Sequence, residues 1–366
     1  MSKKYFYIFV CIVFVLVSGC KSDAGGQPDF DMTDYRPMAQ VYKDYFYIGA
    51  AVKLGEYDST PFYDAYPASV LESFNSFSAE NGMKPDNVYS SDGSFDFTYG
   101  DRLVKYASEH GAVVRGHTLV WHYQSDNVFK EKRSKEEARE FLQKYIDTVV
   151  GHFRGKIYAW DVVNEAVGDG GQWRTDSPWY RYYGGPEYIR DAFVFAQKAD
   201  PDALHFYNDY NMVNSTKRAR VIKMIKDLDL ISAGLDGIGI QAHWNLYWPS
   251  AAEIEKAIKA FADMGLLIHI TELDIDCYNG NPSMGEIKYT SSLEKQLADR
   301  YAEIFSVFRK YSQYIDSVTF WGIGDEDSWL NYYSGGRFFD SPRNNYPLLF
   351  DRDNKPKKAF FAASAF

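Results

Sequence analysis

Eight short apolar runs divide the chain, and from the second onward each stops on a polar side chain or a tryptophan. The runs are YFYIGA, SFSAEN, AVVRGH, IYAWDVVNE, LHFYND, GIGIQAH, LIHITE and SVTFWG. At their ends stand Glu80 and Asn81, His117, Asn164 and Glu165, Asn208, Gln241 and His243, Glu272, and Trp321. Runs of this length and composition read as buried strands. The steps between the ends range from 29 residues (243 to 272) to 49 (272 to 321), room for one helix and its loops each time. The intervening segments carry helical signals. Ser134 with Glu137, Ser250 with Glu253 and Ser291 with Glu294 have capping-box spacing before amphipathic stretches, and Gly265 suits a helix C-terminus. Eight strand–helix units with chemistry at the carboxyl ends of the strands predict a single (β/α)8 TIM barrel over residues 40–366. A doubly wound open sheet, the competing α/β fold, would gather function at one switch point instead.

The N-terminus is read separately, as targeting sequence. Lys3 and Lys4 precede an apolar core over residues 5–17, too short for a membrane span, followed by LVSGC at 16–20. The segment resembles a bacterial lipoprotein signal covering residues 1–19, which would leave Cys20 as a lipidated first residue. Residues 20–39 then form a small, polar, flexible tether. The expected location is the cell envelope, anchored by lipid in the outer membrane, on either its periplasmic or its surface face. Of three cysteines, Cys11, Cys20 and Cys277, only the last lies in the body of the protein, so neither an internal disulfide nor a cysteine metal site is expected. A net charge of −10 gives no footprint for nucleic acid, and the chain is expected to be a monomer. Aromatic residues make up 17%, an excess that suits flat surfaces for sugar rings as well as core.

Two of the apolar runs end on glutamate, an expensive residue to place at the end of a hydrophobic strand. In a barrel, the ends of strands 4 and 7 face each other across the rim, so Glu165 and Glu272 can serve one reaction from two sides. Acetal hydrolysis needs such a pair: a proton donor for the departing oxygen and a negative partner for the oxocarbenium-like carbon. Metal chemistry is the rival. It has only His117, His243 and the two glutamates to draw on, with no closely spaced ligand pair such as HExxH, and no metal or other cofactor is expected.

Seven motifs in order, ENGMKP (80–85), RGHTLVWH (115–122), WDVVNEA (160–166), YNDYN (207–211), DGIGIQAHW (236–244), ITELD (270–274) and WGIGDEDSW (321–329), together resemble the family-10 glycoside hydrolases. The resemblance spans residues 40–366 and implies a retaining endo-β-1,4-xylanase acting on xylan or xylo-oligosaccharides. It implies Glu165 as general acid/base and Glu272 as nucleophile. Asn164 would bond the sugar 2-hydroxyl, while His243 holds the nucleophile and is oriented by Asp274. Glu80, Asn81 and Lys84 would grip sugar hydroxyls on the non-reducing side. His117, Trp121 and Gln241 would complete the central subsite, with Trp321 and Trp329 as its hydrophobic wall and Tyr210 as a platform on the leaving-group side. Gln124 and Trp329 would crowd the hydroxymethyl group of a glucose, which argues against a β-glucanase. A glycan-binding lipoprotein without catalysis has no need of the paired carboxylates.

Plainer readings stand beside these. His117 can be a buried histidine satisfied by its surroundings, Trp121 and Trp321 can be barrel packing, and Asp209 and Asn211 can be turn residues. His269 reads as structural, and Asp161 as a partner in a barrel ion pair. The chain also departs from the family pattern at Gly324, where Ser or Thr is usual, and a local adjustment is expected there. The aromatic loops after strands 4 and 8 are expected to shape outer subsites.

Overall fold

The computed structural model describes residues 35–53, 62–129 and 133–366. Eight parallel strands form the barrel: β1 (Tyr47–Val52), β2 (Ser76–Ala79), β3 (Val113–Gly116), β4 (Ala159–Asn164), β5 (Leu204–Asp209), β6 (Gly237–Ile240), β7 (Leu267–Asp276) and β8 (Ile315–Phe320). Each pairs with its neighbours in sequence, and β8 returns to β1, closing the ring. Because helices cover the outside and side chains fill the inside, the strands are buried on both faces, hence their continuous apolar runs. The predicted architecture and all eight strands are present.

Local chemistry explains the helices. Two of the three expected capping boxes form, with Ser134 accepting from Glu137 N and Ser250 from Glu253 N while each glutamate reaches back. The third helix, Ser291–Lys310, departs from expectation: Thr290 is its N-cap, accepting from Leu293 N at 3.3 Å. Its N3 residue is thus leucine, which cannot reciprocate, and Glu294 pairs with Lys358 at 3.1 Å instead. Gly265 has φ +79°, two positions beyond the C-cap Asp263.

The folded unit begins earlier than the expected residue 40. Tyr35 stacks on Phe360 and donates its hydroxyl to Ser69 O, and Met38 and Ala39 are buried. Residues 35–39, placed in the tether by sequence, belong to the barrel because their apolar side chains find partners there. The signal segment, Cys20 and the rest of the tether lie outside the described residues. Much of the aromatic excess proves to be packing, as in the cluster of Tyr42, Phe46, Phe305 and Phe320.

Two irregularities position the site. The register of β4 against β5 shifts between Asp161 and Val163, setting Asn164 opposite Asn208. That of β7 against β8 shifts between Ile270 and Leu273, on either side of Glu272. Such bulges re-aim side chains, and here each adjoins one of the two glutamates. Strand β7 also continues above the barrel to pair with the short strand His243–Asn245, placing His243 opposite Asp274.

Candidate active site

Glu272 is buried at 5% exposure, and its carboxylate is held by two donors. Oε1 accepts from Asn208 Nδ2 at 2.8 Å, and Oε2 lies 3.1 Å from His243 Nε2. The other ring nitrogen of His243 lies 2.9 Å from Asp274 Oδ2, which also accepts from Trp329 Nε1 at 2.9 Å. An imidazole facing a carboxylate with each nitrogen must donate from both, so His243 is a cation. Burial alone would push its pKa down, but Asp274 and Glu272 raise it to about 10. Burial pushes Glu272 up, yet His243, His117 and Asn208 outweigh it and hold the carboxyl below its ordinary value. Asp274 is shifted the other way, burial prevailing over its contact with His243. Glu272 is therefore an ionised carboxylate fixed in place.

Glu165 is held differently. Its backbone is left-handed, φ +56°, a conformation a glutamate adopts only when its surroundings fix it. Three bonds supply that constraint. Glu165 N donates to Asn208 O at 2.9 Å, its carbonyl accepts from Arg174 Nε at 2.9 Å, and the next amide, Ala166 N, donates to Tyr207 OH at 3.0 Å. Among the described residues, its carboxyl accepts hydrogen bonds from neutral amides: Oε1 accepts from Gln241 Nε2 at 3.0 Å and from Asn164 Nδ2 at 3.2 Å. Asn164 and Asn208 link the two glutamates, since Asn208 Nδ2 also donates to Asn164 Oδ1 at 2.9 Å. Thr271 fixes the Asn208 amide by donating to its Oδ1 at 2.7 Å. Gly239 leaves room for that amide: a Cβ there would lie 2.2 Å from Asn208 Oδ1.

The remaining expected residues gather around this pair. His117 donates from Nδ1 to Asp161 Oδ2 at 2.8 Å, and Arg115 grips the same carboxylate with both terminal nitrogens. His117 is also among the groups whose charge acts on Glu272. Burial raises Asp161, but Arg115 and His117 bring it below the ordinary range. Trp321 is buried and packs edge-on against His117 and His243 at 5.2 and 6.4 Å. Lys84 donates to Asn81 Oδ1 at 2.9 Å and lies 5.0 Å from the Trp121 ring, with Glu80 buried beside them in sequence. Trp121 Nε1 and Gln124 Oε1 are buried and have no hydrogen-bond partner among the described residues. His269 lies inside the barrel between Arg115 and Asp316, accepting from Arg115 Nε, which makes it a neutral structural histidine.

Tyr210 receives Arg174 Nη2 on its hydroxyl at 2.8 Å, and Lys217 Nζ lies 3.3 Å from its ring. Asp209 is not a turn residue but a buried strand end, 2.7 Å from Lys217 Nζ and accepting from Tyr207 OH at 2.6 Å. Burial, reinforced by the charge of Glu165, raises its pKa to about 6 against the pull of Lys217. Asn211 does sit in a left-handed turn, φ +53°, and donates to Asp169 at 2.9 Å. Gly324 has a steric reason: a Cβ would lie 3.1 Å from Asp351 O and 3.2 Å from Asn354 Oδ1.

Six contributors were not assigned roles from sequence: Asn208, Thr271, Arg174, Lys217, Tyr207 and Arg115. Asn208 carried a signal, ending a strand within YNDYN, whereas Arg174 lies in a loop without periodicity. Among the described residues, no group of three or more His, Cys, Asp or Glu is arranged to hold a metal ion.

Comparison with known proteins gives the family and the fold. The model of glycosyl hydrolase family 10 matches residues 37–365. A β-1,4-xylanase of Dictyoglomus thermophilum is 40% identical over the full length of both chains. A crystal structure of a xylanase from Paenibacillus barcinonensis complexed with a conduramine derivative superposes with a TM-score of 0.80 at 36% identity, covering 90% of this chain and 98% of that one. A mutant structure in complex with xylotriose gives 0.82 at 36% identity, covering 91% and 100%.

Proposed function

The chain belongs to glycosyl hydrolase family 10 and is an endo-1,4-β-xylanase, and we propose that it cleaves xylan by retaining double displacement, with Glu272 as nucleophile and Glu165 as acid/base. The observation that carries this assignment is the unequal environment of the two carboxyls. Glu272 is pinned beside a cation and kept ionised; Glu165 is held by its backbone, and among the described residues its carboxyl accepts hydrogen bonds from neutral amides.

In the first step, a Glu272 oxygen bonds to the anomeric carbon while the bond to the leaving oxygen breaks, and Glu165 gives that oxygen its proton. In the second, Glu165 takes a proton from water, whose oxygen bonds to the anomeric carbon as the bond to Glu272 breaks. Two inversions leave the configuration unchanged. Asn164, fixed by Asn208, is set to bond the 2-hydroxyl, and His117 Nε2 and Gln241 reach the same sugar. Glu80, Asn81, Lys84, Trp121 and Gln124 bind the glycone side, with Trp321 and Trp329 as the wall and Tyr210 opposite. The xylotriose bound by a structural relative suits this reading. A proton NMR time course on xylo-oligosaccharides should show the β-anomer of the new reducing end first, with reducing sugar released from xylan and not from β-glucan. Early appearance of the α-anomer would mean inversion and sink the assignment.

We also propose, on sequence grounds, that Cys20 is lipidated and tethers a monomeric enzyme to the outer membrane. Two acyl signals suffice for stable anchoring. Cys20→Ala should leave the membrane fraction or stall in processing; unchanged fractionation would point to residues 5–17 as a true anchor.

A further inference from the structure

The peptide that follows Glu165 is gripped at both ends. Its carbonyl oxygen accepts from Arg174 Nε at 2.9 Å, and its N–H, that of Ala166, donates to the Tyr207 hydroxyl at 3.0 Å. A planar unit held at two edges cannot turn, so these bonds set the backbone through which the Glu165 side chain is aimed. With Glu165 N on Asn208 O at 2.9 Å, both peptides flanking the glutamate are held.

Both grips lead back to one buried ion pair. A hydroxyl has one proton, and Tyr207, already accepting from Ala166, donates it to Asp209 Oδ2 at 2.6 Å. Asp209 Oδ1 accepts from Tyr210 N at 2.9 Å and lies 2.7 Å from Lys217 Nζ. The ring of Tyr210 covers Lys217 Nζ at 3.3 Å, and its hydroxyl receives Arg174 Nη2 at 2.8 Å. Tyr207, Asp209 and Lys217 are each 0% exposed. Tyr207 and Asp209 flank Asn208 in β5, so by period two they face away from the barrel interior, toward the helix Ser215–Asp227 that carries Lys217.

The ion pair is costly where it stands. Lys217 lies in the first turn of its helix, where the backbone dipole disfavours a cation, and burial takes both charges out of water. Such a pair adds little stability over an apolar substitute, but it fixes the direction of a proton. Beside the Lys217 cation, Asp209 as a carboxylate can only accept, so the Tyr207 O–H points to it and a lone pair stays on Ala166 N. A protonated Asp209 could donate to Tyr207 instead and undo that arrangement. We propose that Lys217, Asp209 and Tyr207 are positioning residues for the acid/base, a buried brace that acts through the Glu165–Ala166 peptide. The proposal rests on the role given to Glu165 above.

The test uses xylohexaose and dinitrophenyl β-xylobioside, whose acidic phenol leaves without a proton, at a pH well above the Asp209 value of about 6. Tyr207→Phe removes one hydroxyl and keeps the ring. It should lower kcat on xylohexaose about tenfold with KM little changed, while pre-steady-state phenol release falls less than about twofold. Lys217→Met leaves no unpaired charge, since Asp209 then takes up a proton, and should show the same contrast at least as strongly. The double variant should lose no more than Lys217→Met alone, because both act along one path. A wild-type kcat for Tyr207→Phe on xylohexaose would overturn the proposal. So would equal losses on both substrates, the mark of a merely structural support, or additive losses in the double variant. Glu165→Ala, run alongside, keeps the two readings apart: if that variant lacks the contrast, the role of Glu165 itself falls.

Discussion

The two facing glutamates are held on opposite plans. Glu272 is fixed through its carboxylate, by a histidine that is itself gripped by Asp274, and every partner comes from strand ends or the short strand paired with β7. Glu165 is fixed through its main chain, by Arg174 from the loop after β4 and by Asn208 and Tyr207 of β5, with its carboxyl left to neutral amides. Under the proposed roles, the difference follows from what each group would have to do. A nucleophile benefits from one permanent charge state, which fixed charges secure. An acid/base must gain and lose a proton, and a charge-locked carboxyl would resist one of the two changes.

The largest effect should come from removing the carboxyls themselves. Glu272→Ala should lose on the order of 10⁴-fold or more, about 5.5 kcal/mol in the barrier, on xylan and on aryl xylobiosides alike. Glu165→Ala should lose about 10²- to 10⁴-fold on xylan but still glycosylate with an acidic phenol as leaving group. Azide should rescue its turnover with a β-azide product. Pre-steady-state phenol release from both variants reads this directly, and an α-azide from Glu165→Ala would reverse the roles.

The next effect probes how Glu165 is held. Arg174→Gln removes the Nε bond to the Glu165 carbonyl and the clamp on Tyr210. Misplacing the proton donor should lower kcat on xylan by about 10- to 100-fold, KM changing less, in keeping with the sensitivity of catalysis to small displacements. On a substrate with an acidic phenol the loss should nearly vanish. Equal losses on both substrates would show that Arg174 supports the site as a whole.

The smallest effect concerns stability and probes how Glu272 is held. Raised to about 10 from an ordinary 6.5, His243 contributes stability fully present below about pH 6.5 and lost as pH rises through about 10. The gap in melting temperature between wild type and His243→Gln should therefore narrow steadily across that window. A gap independent of pH would show that His243 is not a cation in the folded protein.

The sequence alone determined the barrel, because strand length, apolar content and capping signals are local properties, and because eight such units have one closed solution. It also placed Glu165, Glu272, His117, Gln241 and His243 at strand ends, where side chains of a barrel converge. Contacts were another matter. That Asn208 bridges both glutamates depends on a register shift in β4 and on the space left by Gly239, neither visible in a string of residues. Asp209, plausible as a turn residue, became a buried anion only because Lys217, eight positions on, folds back beneath Tyr210. Arg174 was hidden in a loop whose path follows no period. Local patterns set what each segment becomes; which charges meet, and so how firmly Glu272 is held as a carboxylate, was decided by packing between segments distant in the chain.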